Sequence, residues 1–201
     1  MLEDGVLRSE NGDLTLESVA AGDDEMMHVG DCTGTRRLGS GPAAPSLTTL
    51  TAMRVAIAAD HAGYRLKEHL ARMMAAAGHA VTDLGTHDET PVDYPDYAAA
   101  VGKTVIAGRA DRGIMVCGSG AGAAIAANKI IGIRCAQAHD TYTAHQAVEH
   151  DDANMIALGS RVIGEDLAGD IVTIFLGARF SGEERHIRRL AKIRALEERR
   201  P

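Results

Sequence analysis

The stretch of the sequence whose residue types best suit chemistry is CGSGAGAA at residues 117–124. Its glycines leave the backbone open where a predicted strand becomes a helix, so that backbone N–H groups can face an anion. The same N–H groups favour the thiolate form of Cys117, and a thiolate can remove a proton beside a carbonyl while the loop holds the enediolate. Ser119 can pass protons between the two enediolate oxygens. These residues predict proton transfer on a carbonyl substrate.

Two other interpretations of this loop remain open from the residues alone. Residues 118–123 fit the loose G-x-G-x-x-G/A dinucleotide fingerprint, and Asp140 follows at about the spacing of a ribose-binding acid. Against a nicotinamide site, the loop follows the third predicted strand, whereas the fingerprint normally opens the first. Alternatively, Cys117 is a small buried residue at a strand end. We assign no chemistry to Cys135, in a predicted strand, or to Cys32.

The elements that must position this loop alternate between apolar strands and amphipathic helices from Met53 onward. Short apolar runs predict strands at residues 54–60, 80–85, 112–118, 133–138 and 154–160. Helical spacing of apolar residues predicts helices at residues 66–77, 95–106, 121–129, 140–149, 165–177 and 182–199. Because parallel neighbours need crossover connections, we expect an α/β fold, a three-layer Rossmann-like sandwich with a five-stranded parallel sheet.

Ligands of such sheets bind beyond the carboxyl ends of the strands. The candidate positions therefore directly follow the predicted strands: Asp60-His61, Gly85-Thr86, 117–122, His139-Asp140 and Ser160-Arg161. Among the other histidines we keep His186 as a candidate, and we expect structural or exposed roles for His69, His79, His139 and His145.

Composition excludes several classes of protein. The chain has 201 residues, a net charge of −7, 3% aromatic residues and no Trp, so it offers neither a basic field nor a stacking platform for nucleic acid. Its apolar runs are too short to span a membrane. Three cysteines without CxxC spacing favour a reducing cytoplasm. The sequence has no HExxH motif and no cysteine–histidine cluster with the spacing of metal ligands, so we expect no metal. We therefore expect a cytoplasmic protein without a cofactor, acting on a small molecule.

Residues 1–52 differ from the rest of the chain. They hold nine acidic and three basic residues, a net charge of −6, which leaves −1 for residues 53–201. They have no apolar period, and they close with the linker-like run GSGPAAPSLTTLTA. We expect a disordered, acidic N-terminal extension over 1–52 and one folded domain over 53–201. The composition fits either translation that starts at Met53 or a regulatory tail, and it does not fit a secretory signal.

Four ordered motifs carry a family resemblance. They are AADHAGYRLKEHL at 58–70, DYPDYA at 93–98, VCGSGAGAAIAANKIIGIR at 116–134 and NMIALGSRVIG at 154–164. With them the chain resembles type B ribose-5-phosphate isomerases, a family that also contains galactose-6-phosphate isomerase subunits and allose-6-phosphate isomerases. The resemblance runs from Met53 to about Leu196 and does not cover residues 1–52.

The resemblance implies roles for individual residues. It makes Cys117 the base that moves a proton between C1 and C2, Ser119 the group that handles the hydroxyl protons, and His150 the group that opens the furanose ring. It implies that Asp60 and His61 contact sugar hydroxyls and phosphate. The other implied substrate-binding residues are the pocket aromatic Tyr94, the loop residues Gly118, Gly120, Ala121 and Gly122, Asp151, and the phosphate-binding arginines Arg161, Arg185 and Arg189.

The sequence departs from the family pattern in one place and selects a branch in another. Many members have His-Asn-Asp where this chain has Asp151 after His150, and an ionised aspartate can only accept hydrogen bonds. This change bears on which sugar is bound. Ala123 and Ala124 offer no carboxylate base, which places the chain in the cysteine branch.

The function that the resemblance implies is an aldose–ketose isomerase that interconverts ribose 5-phosphate and ribulose 5-phosphate. It also implies a homodimer, which can pair into a tetramer, with His150 and Arg161 reaching across into the neighbour's site. Three alternatives remain. They are an isomerase of a six-carbon sugar phosphate such as allose 6-phosphate or galactose 6-phosphate, a non-catalytic sugar-phosphate-binding protein, and a nicotinamide oxidoreductase.

Overall fold

The computed structural model describes residues 52–198. The N-terminal extension predicted at 1–52 lies outside the described residues, apart from Ala52, so its disorder stays a prediction. Within residues 52–198, no helix has the length and apolar character that crossing a membrane requires.

In the described residues, five strands form one sheet in which every neighbouring pair is parallel. They are β1 (Arg54–Ala59), β2 (Ala80–Asp83), β3 (Arg112–Cys117), β4 (Cys135–Gln137) and β5 (Met155–Gly159), in the order β2-β1-β3-β5-β4. This confirms the predicted five-stranded parallel sheet. The strand β4 is three residues long, shorter than predicted, because it lies at an edge and pairs with β5 alone.

Helices cover both faces of the sheet, as predicted. They are α1 (Tyr64–Ala76), α2 (Tyr94–Ile106), α3 (Ala121–Ala127), α4 (Thr141–Asp151), α5 (Glu165–Gly177) and α6 (Glu184–Glu198). Apolar residues of α1, α4 and α5 form one core with the sheet, and those of α2 and α3 form the other. The three-layer Rossmann-like sandwich is therefore confirmed.

The pleat of β3 decides which layer each of its side chains meets. Successive strand residues point to opposite faces, so Ile114 and Val116 join the core under α1, α4 and α5. Met115 and Cys117 join the core under α2 and α3. Cys117 is the last residue of β3, so its thiol lies at the carboxyl ends of the strands, on the side of the sheet that α2 and α3 cover.

Helix α6 buries fewer of its residues than the other helices do. It contacts α4, and its buried residues are His186 and Leu190. The remaining residues of α6 that the structure describes are exposed or half-buried. Helix α6 therefore presents its basic side chains, among them Arg185 and Arg189, to the surroundings.

Candidate active site

A cavity of about 330 Å³ lies beyond the carboxyl ends of β1, β3 and β5. It is lined by Asp60, Tyr94, Cys117, Gly118, Ser119, Gly122, Arg161 and Val162. The structure thus brings together seven of the residues proposed from the sequence, drawn from four separate motifs. Val162 was not anticipated, and its position directly after Arg161 is the sole signal that the sequence offers for it.

The loop after β3 holds the thiol of Cys117 beneath the cavity. Cys117 is 4% exposed, and the Gly120 N–H donates a hydrogen bond to its Sγ at 3.1 Å. Gly120 has a φ of +82°, a left-handed conformation that suits glycine, and this turn brings its N–H back toward the sulfur. This hydrogen bond fixes the position of the sulfur at the cavity.

Ser119 is held from two sides. Its Oγ accepts the Ala121 N–H at 3.3 Å, and its carbonyl oxygen accepts a hydrogen bond from Gln137 Nε2 at 2.8 Å. Sequence reasoning missed Gln137, which closes β4 with an exposed polar side chain. Ser119 is therefore held in the cavity that Cys117 also lines.

Tyr94 is the first residue of α2, and its side chain lines the cavity. A Cβ atom added at Gly122 would lie 2.7 Å from Cζ of the Tyr94 ring, so the ring sits where any larger side chain would stand. Tyr94 is 38% exposed. Gly122 therefore allows an aromatic ring to form one wall of the cavity.

Asp60 and His61 follow β1 and have different surroundings. Asp60 is 7% exposed and lines the cavity, and its Oδ1 accepts the Gly63 N–H at 2.9 Å. His61 is half-buried and is not among the residues that line the cavity. Its Nδ1 accepts the Val92 N–H at 3.3 Å, which puts the ring proton on Nε2 when the histidine is neutral.

Arg161 provides a positive charge at the mouth of the cavity. Its backbone N–H donates to the Gly118 carbonyl at 3.0 Å, and its side chain packs over Gly118. In the described part of the chain, no acidic side chain lies within ion-pair distance of its guanidinium. We expected Arg161 to reach into a neighbour's site, but it lines the cavity of its own chain.

Four other predicted site residues lie away from the cavity, near the amino ends of the strands: His150, Asp151, Arg185 and Arg189. Helix α4 starts beyond the carboxyl end of β4 and runs back for eleven residues, about 16 Å, so His150 is near the amino ends of the strands. Arg134, just before β4, donates to the carbonyl oxygens of Asp151 and Asp152 there. Within one chain, His150 and Asp151 therefore stay apart from Cys117.

Asp151 lines a different, more apolar groove of about 370 Å³ between β4, α4 and α6. The ring of His150 packs against His186 of α6, with ring centroids 4.2 Å apart. Arg185 is paired with Glu183 at 2.7 Å, which lowers the pKa of the Glu183 carboxyl. Arg185 and Arg189 both lie close enough to His186 to affect its charge, so these basic residues form one group with His150.

Several residues that we assigned to structural roles have structural contacts. His79 is buried and accepts the Met53 N–H, and His139 accepts the Gly159 N–H at 3.0 Å through Nε2. Cys135 is buried in β4, and burial raises the pKa of its thiol to about 12. Such a thiol stays protonated and unreactive at neutral pH.

Asp140 does not have the environment of a ribose-binding acid. Its carboxylate caps α4, accepting the Thr143 N–H and the Thr143 hydroxyl at 2.7 Å each. These hydrogen bonds lower the pKa of the Asp140 carboxyl. Its oxygens are therefore engaged within its own helix, which argues against the nicotinamide interpretation.

The structure has a parallel sheet with a thiol, a hydroxyl and an arginine beyond its strands, and that arginine has no ion pair among the described residues. This is the arrangement of an α/β enzyme whose cavity suits an anionic substrate. A family model described as Ribose/Galactose Isomerase matches residues 55–193. The chain belongs to this family, as the resemblance implied, and it is a sugar phosphate isomerase of the aldose–ketose class.

Individual relatives agree with this assignment. Ribose-5-phosphate isomerase B of Escherichia coli (strain K12) is 42% identical over 147 residues, covering 73% of this chain and 98% of that protein. D-erythrulose-4-phosphate isomerase of Pectobacterium atrosepticum is 42% identical over 132 residues, covering 65% of this chain and 86% of that protein. The structure of Clostridium thermocellum ribose-5-phosphate isomerase B has a TM-score of 0.71 and 47% identity, covering 73% of this chain and 98% of that chain.

Proposed function

We propose that this isomerase interconverts ribose 5-phosphate and ribulose 5-phosphate through an enediolate, with Cys117 as the base. The observation that carries the proposal is the hydrogen bond from the Gly120 N–H to Cys117 Sγ, in a cavity that Ser119 and Arg161 also line. These three side chains supply a base, a proton carrier and a phosphate-binding cation. A pentose phosphate substrate would place the enzyme in the pentose phosphate pathway of the cytoplasm.

The proposed reaction moves one proton between neighbouring carbons. Cys117 thiolate takes the proton from C2 of the open-chain aldose, and the electrons of that C–H bond form the C1–C2 double bond of the enediolate. Backbone N–H groups of residues 118–122 stabilise the oxyanion. The Ser119 hydroxyl moves a proton between O1 and O2, and Cys117 then returns its proton to C1, which gives the ketose.

Ring opening must precede this step, because ribose 5-phosphate is mainly a furanose. It needs a group that takes the proton of the anomeric hydroxyl or gives one to the ring oxygen, and an imidazole can do both near neutral pH. His150 is our candidate. Because it lies at the opposite edge of the sheet from Cys117, we propose that it serves the cavity of a second copy of the chain.

The assembly we propose is therefore a homodimer, which can pair into a tetramer. Arg185 and Arg189 lie close to His186, whose ring packs on His150, and would arrive with it, joining Arg161 around the phosphate. Asp60, His61 and Asp151 would contact the sugar hydroxyls and the phosphate. Tyr94 would form the wall next to the sugar.

The base is tested by comparing two cysteine variants with the wild type, in EDTA, on ribose 5-phosphate. We expect Cys117→Ala to lower kcat about 1000-fold, because it removes the base, whereas Cys135→Ala should keep nearly full activity. We also expect EDTA to have no effect on the wild type. Equal activity in Cys117→Ala and the wild type would exclude Cys117 as the base.

The substrate is tested with a panel of aldose phosphates on the wild type. Ribose 5-phosphate should have the highest kcat/KM among erythrose 4-phosphate, ribose 5-phosphate, allose 6-phosphate and galactose 6-phosphate. A higher value for a four- or six-carbon sugar would transfer the assignment to that sugar. Sugar phosphates that raise the unfolding temperature without any turnover would instead mark a non-catalytic binding protein.

A further inference from the structure

The imidazole of His186 is packed against the imidazole of His150. The ring centroids are 4.2 Å apart and the planes are tilted by 30°, so His186 covers one face of the His150 ring. His150 itself is partly exposed, with 29% of its side chain accessible. One face of His150 is thus supported from α6, its Nε2 lies 3.7 Å from Glu149 Oε2, and part of the ring stays exposed.

His186 is held in place by its own hydrogen bond. It is 1% exposed, and its Nδ1 lies 2.6 Å from Ser181 Oγ. Ser181 is in turn tied to α4, because its N–H donates at 3.0 Å to the carbonyl of Glu149, the residue before His150. In the described residues, Nε2 of His186 has no hydrogen-bond partner. The bond to Ser181 therefore orients the ring that supports His150.

The surroundings of His186 favour its neutral form. Burial lowers its pKa, and the nearby His150, Arg185 and Arg189 lower it further. Glu183, in the turn before α6, opposes this effect. A neutral ring beside His150 does not repel the proton that His150 must carry during ring opening.

We propose that His186 is a positioning residue for ring opening, which holds the plane of the His150 imidazole through ring packing. The inference rests on the proposed role of His150. It predicts that loss of the His186 ring slows the opening of a cyclic substrate and spares the proton transfer that Cys117 performs. A residue that only stabilises the fold would affect both steps alike.

The two directions of the reaction separate these steps. Ribose 5-phosphate is a furanose and must be opened before proton transfer. Ribulose 5-phosphate cannot close a five-membered ring, because the oxygen that would close it carries the phosphate. With enzyme in excess and rapid quenching, the first turnover of ribose 5-phosphate reports ring opening plus proton transfer. The first turnover of ribulose 5-phosphate reports proton transfer alone.

Four variants are compared in both directions. His150→Asn tests the proposed function and should slow the ribose 5-phosphate turnover only. His186→Ala should slow the same turnover about tenfold or more, because a misplaced catalytic group is costly, with less than a twofold change for ribulose 5-phosphate. His186→Phe keeps a flat ring on His150 and should restore most of the rate. His79→Ala removes another buried histidine and should leave both rates unchanged.

The outcomes separate failure of the inference from failure of the proposed function. If His150→Asn slows both directions equally or neither, the role of His150 in ring opening fails. If His150→Asn is selective but His186→Ala slows both directions, slows neither, or is not restored by His186→Phe, the positioning role is overturned. Equal slowing together with weaker inhibition by inorganic phosphate would show that His186 contributes to phosphate binding instead.

Discussion

Gly122 controls how closely the Tyr94 ring approaches the loop that carries Cys117. A methyl group at residue 122 would meet two ring carbons and the hydroxyl oxygen of Tyr94 at 2.7–3.0 Å, and the ring, being partly exposed, can swing away. We expect Gly122→Ala to raise KM for ribose 5-phosphate about tenfold, because the displaced ring no longer forms the cavity wall. Thermal unfolding should be unchanged or shifted upward, since alanine favours a helix over glycine.

A double variant tests whether Tyr94 carries this effect. Gly122→Ala should add nothing to the KM of Tyr94→Ala, because the clash needs both side chains. Gly164→Ala is the matched control, since its added methyl meets nothing within 4 Å. An equal rise in KM from Gly122→Ala with and without Tyr94 would contradict the explanation.

At the scale of single residues, sequence reasoning found the side chains that stand next to glycines or at strand ends. Cys117, Ser119 and Arg161 could be predicted in this way, because the carboxyl ends of parallel strands lie at the same end of the sheet. Gln137 was not, since its contact is with a backbone carbonyl that no motif marks. The packing of His186 on His150 could not be predicted either, because it depends on how α6 lies against α4.

Helices α4 and α6 are joined through a histidine that is buried in the neutral state. The pKa of His186 is lowered by burial, so the unfolded chain binds a proton there at a higher pH than the folded chain does. This contribution to stability is present above the unfolded pKa of about 6.5 and is lost as pH falls toward the folded pKa. Below pH 6.5 the free energy of unfolding should therefore decrease.

Thermal unfolding between pH 8 and pH 5 measures this linkage. We expect the unfolding temperature of the wild type to fall with pH more steeply than that of His186→Phe, which lacks the titrating group. His87→Gln is the control, because the His87 side chain is 74% exposed and should leave the slope unchanged. A slope in His186→Phe equal to that of the wild type would contradict the assignment.

At the scale of elements, the alternation of strand and helix patterns, with Gly and Pro at helix ends, was enough to predict nearly every helix and strand. Gly78 ends the turn after α1, and Pro95 lies in the first turn of α2, so these helix ends are local properties of the chain. The strand order β2-β1-β3-β5-β4 was not predicted, because alternation alone does not say which strands become neighbours. The short β4 likewise follows from its edge position in the sheet.

At the scale of the whole molecule, the two groups of predicted site residues lie at opposite edges of one sheet. Cys117, Ser119 and Arg161 share the cavity at the carboxyl edge. His150 is the second-last residue of α4, near the amino ends of the strands, where Arg134 donates a hydrogen bond to the carbonyl of Asp152. We propose that the complete set forms from two copies of the chain, each contributing one group to the other's site.

Hybrid dimers test this arrangement directly. Cys117→Ala and His150→Asn chains, each with a different affinity tag, are expressed together, and the dimer that carries both tags is isolated. If the site is shared, both defects fall in one site and the other site has intact Cys117 and His150. The hybrid should then have about half the wild-type activity on ribose 5-phosphate, although each parent dimer is nearly inactive.

A site contained in one chain gives a different result, because each chain of the hybrid would then carry one defect in its own site. The hybrid would be as inactive as its parents. A dimer that combines Cys117→Ala with a chain carrying both substitutions is the matched control, since a shared arrangement leaves it no intact site. Half activity in the first hybrid and none in this control would require that His150 act on the substrate bound by the other copy.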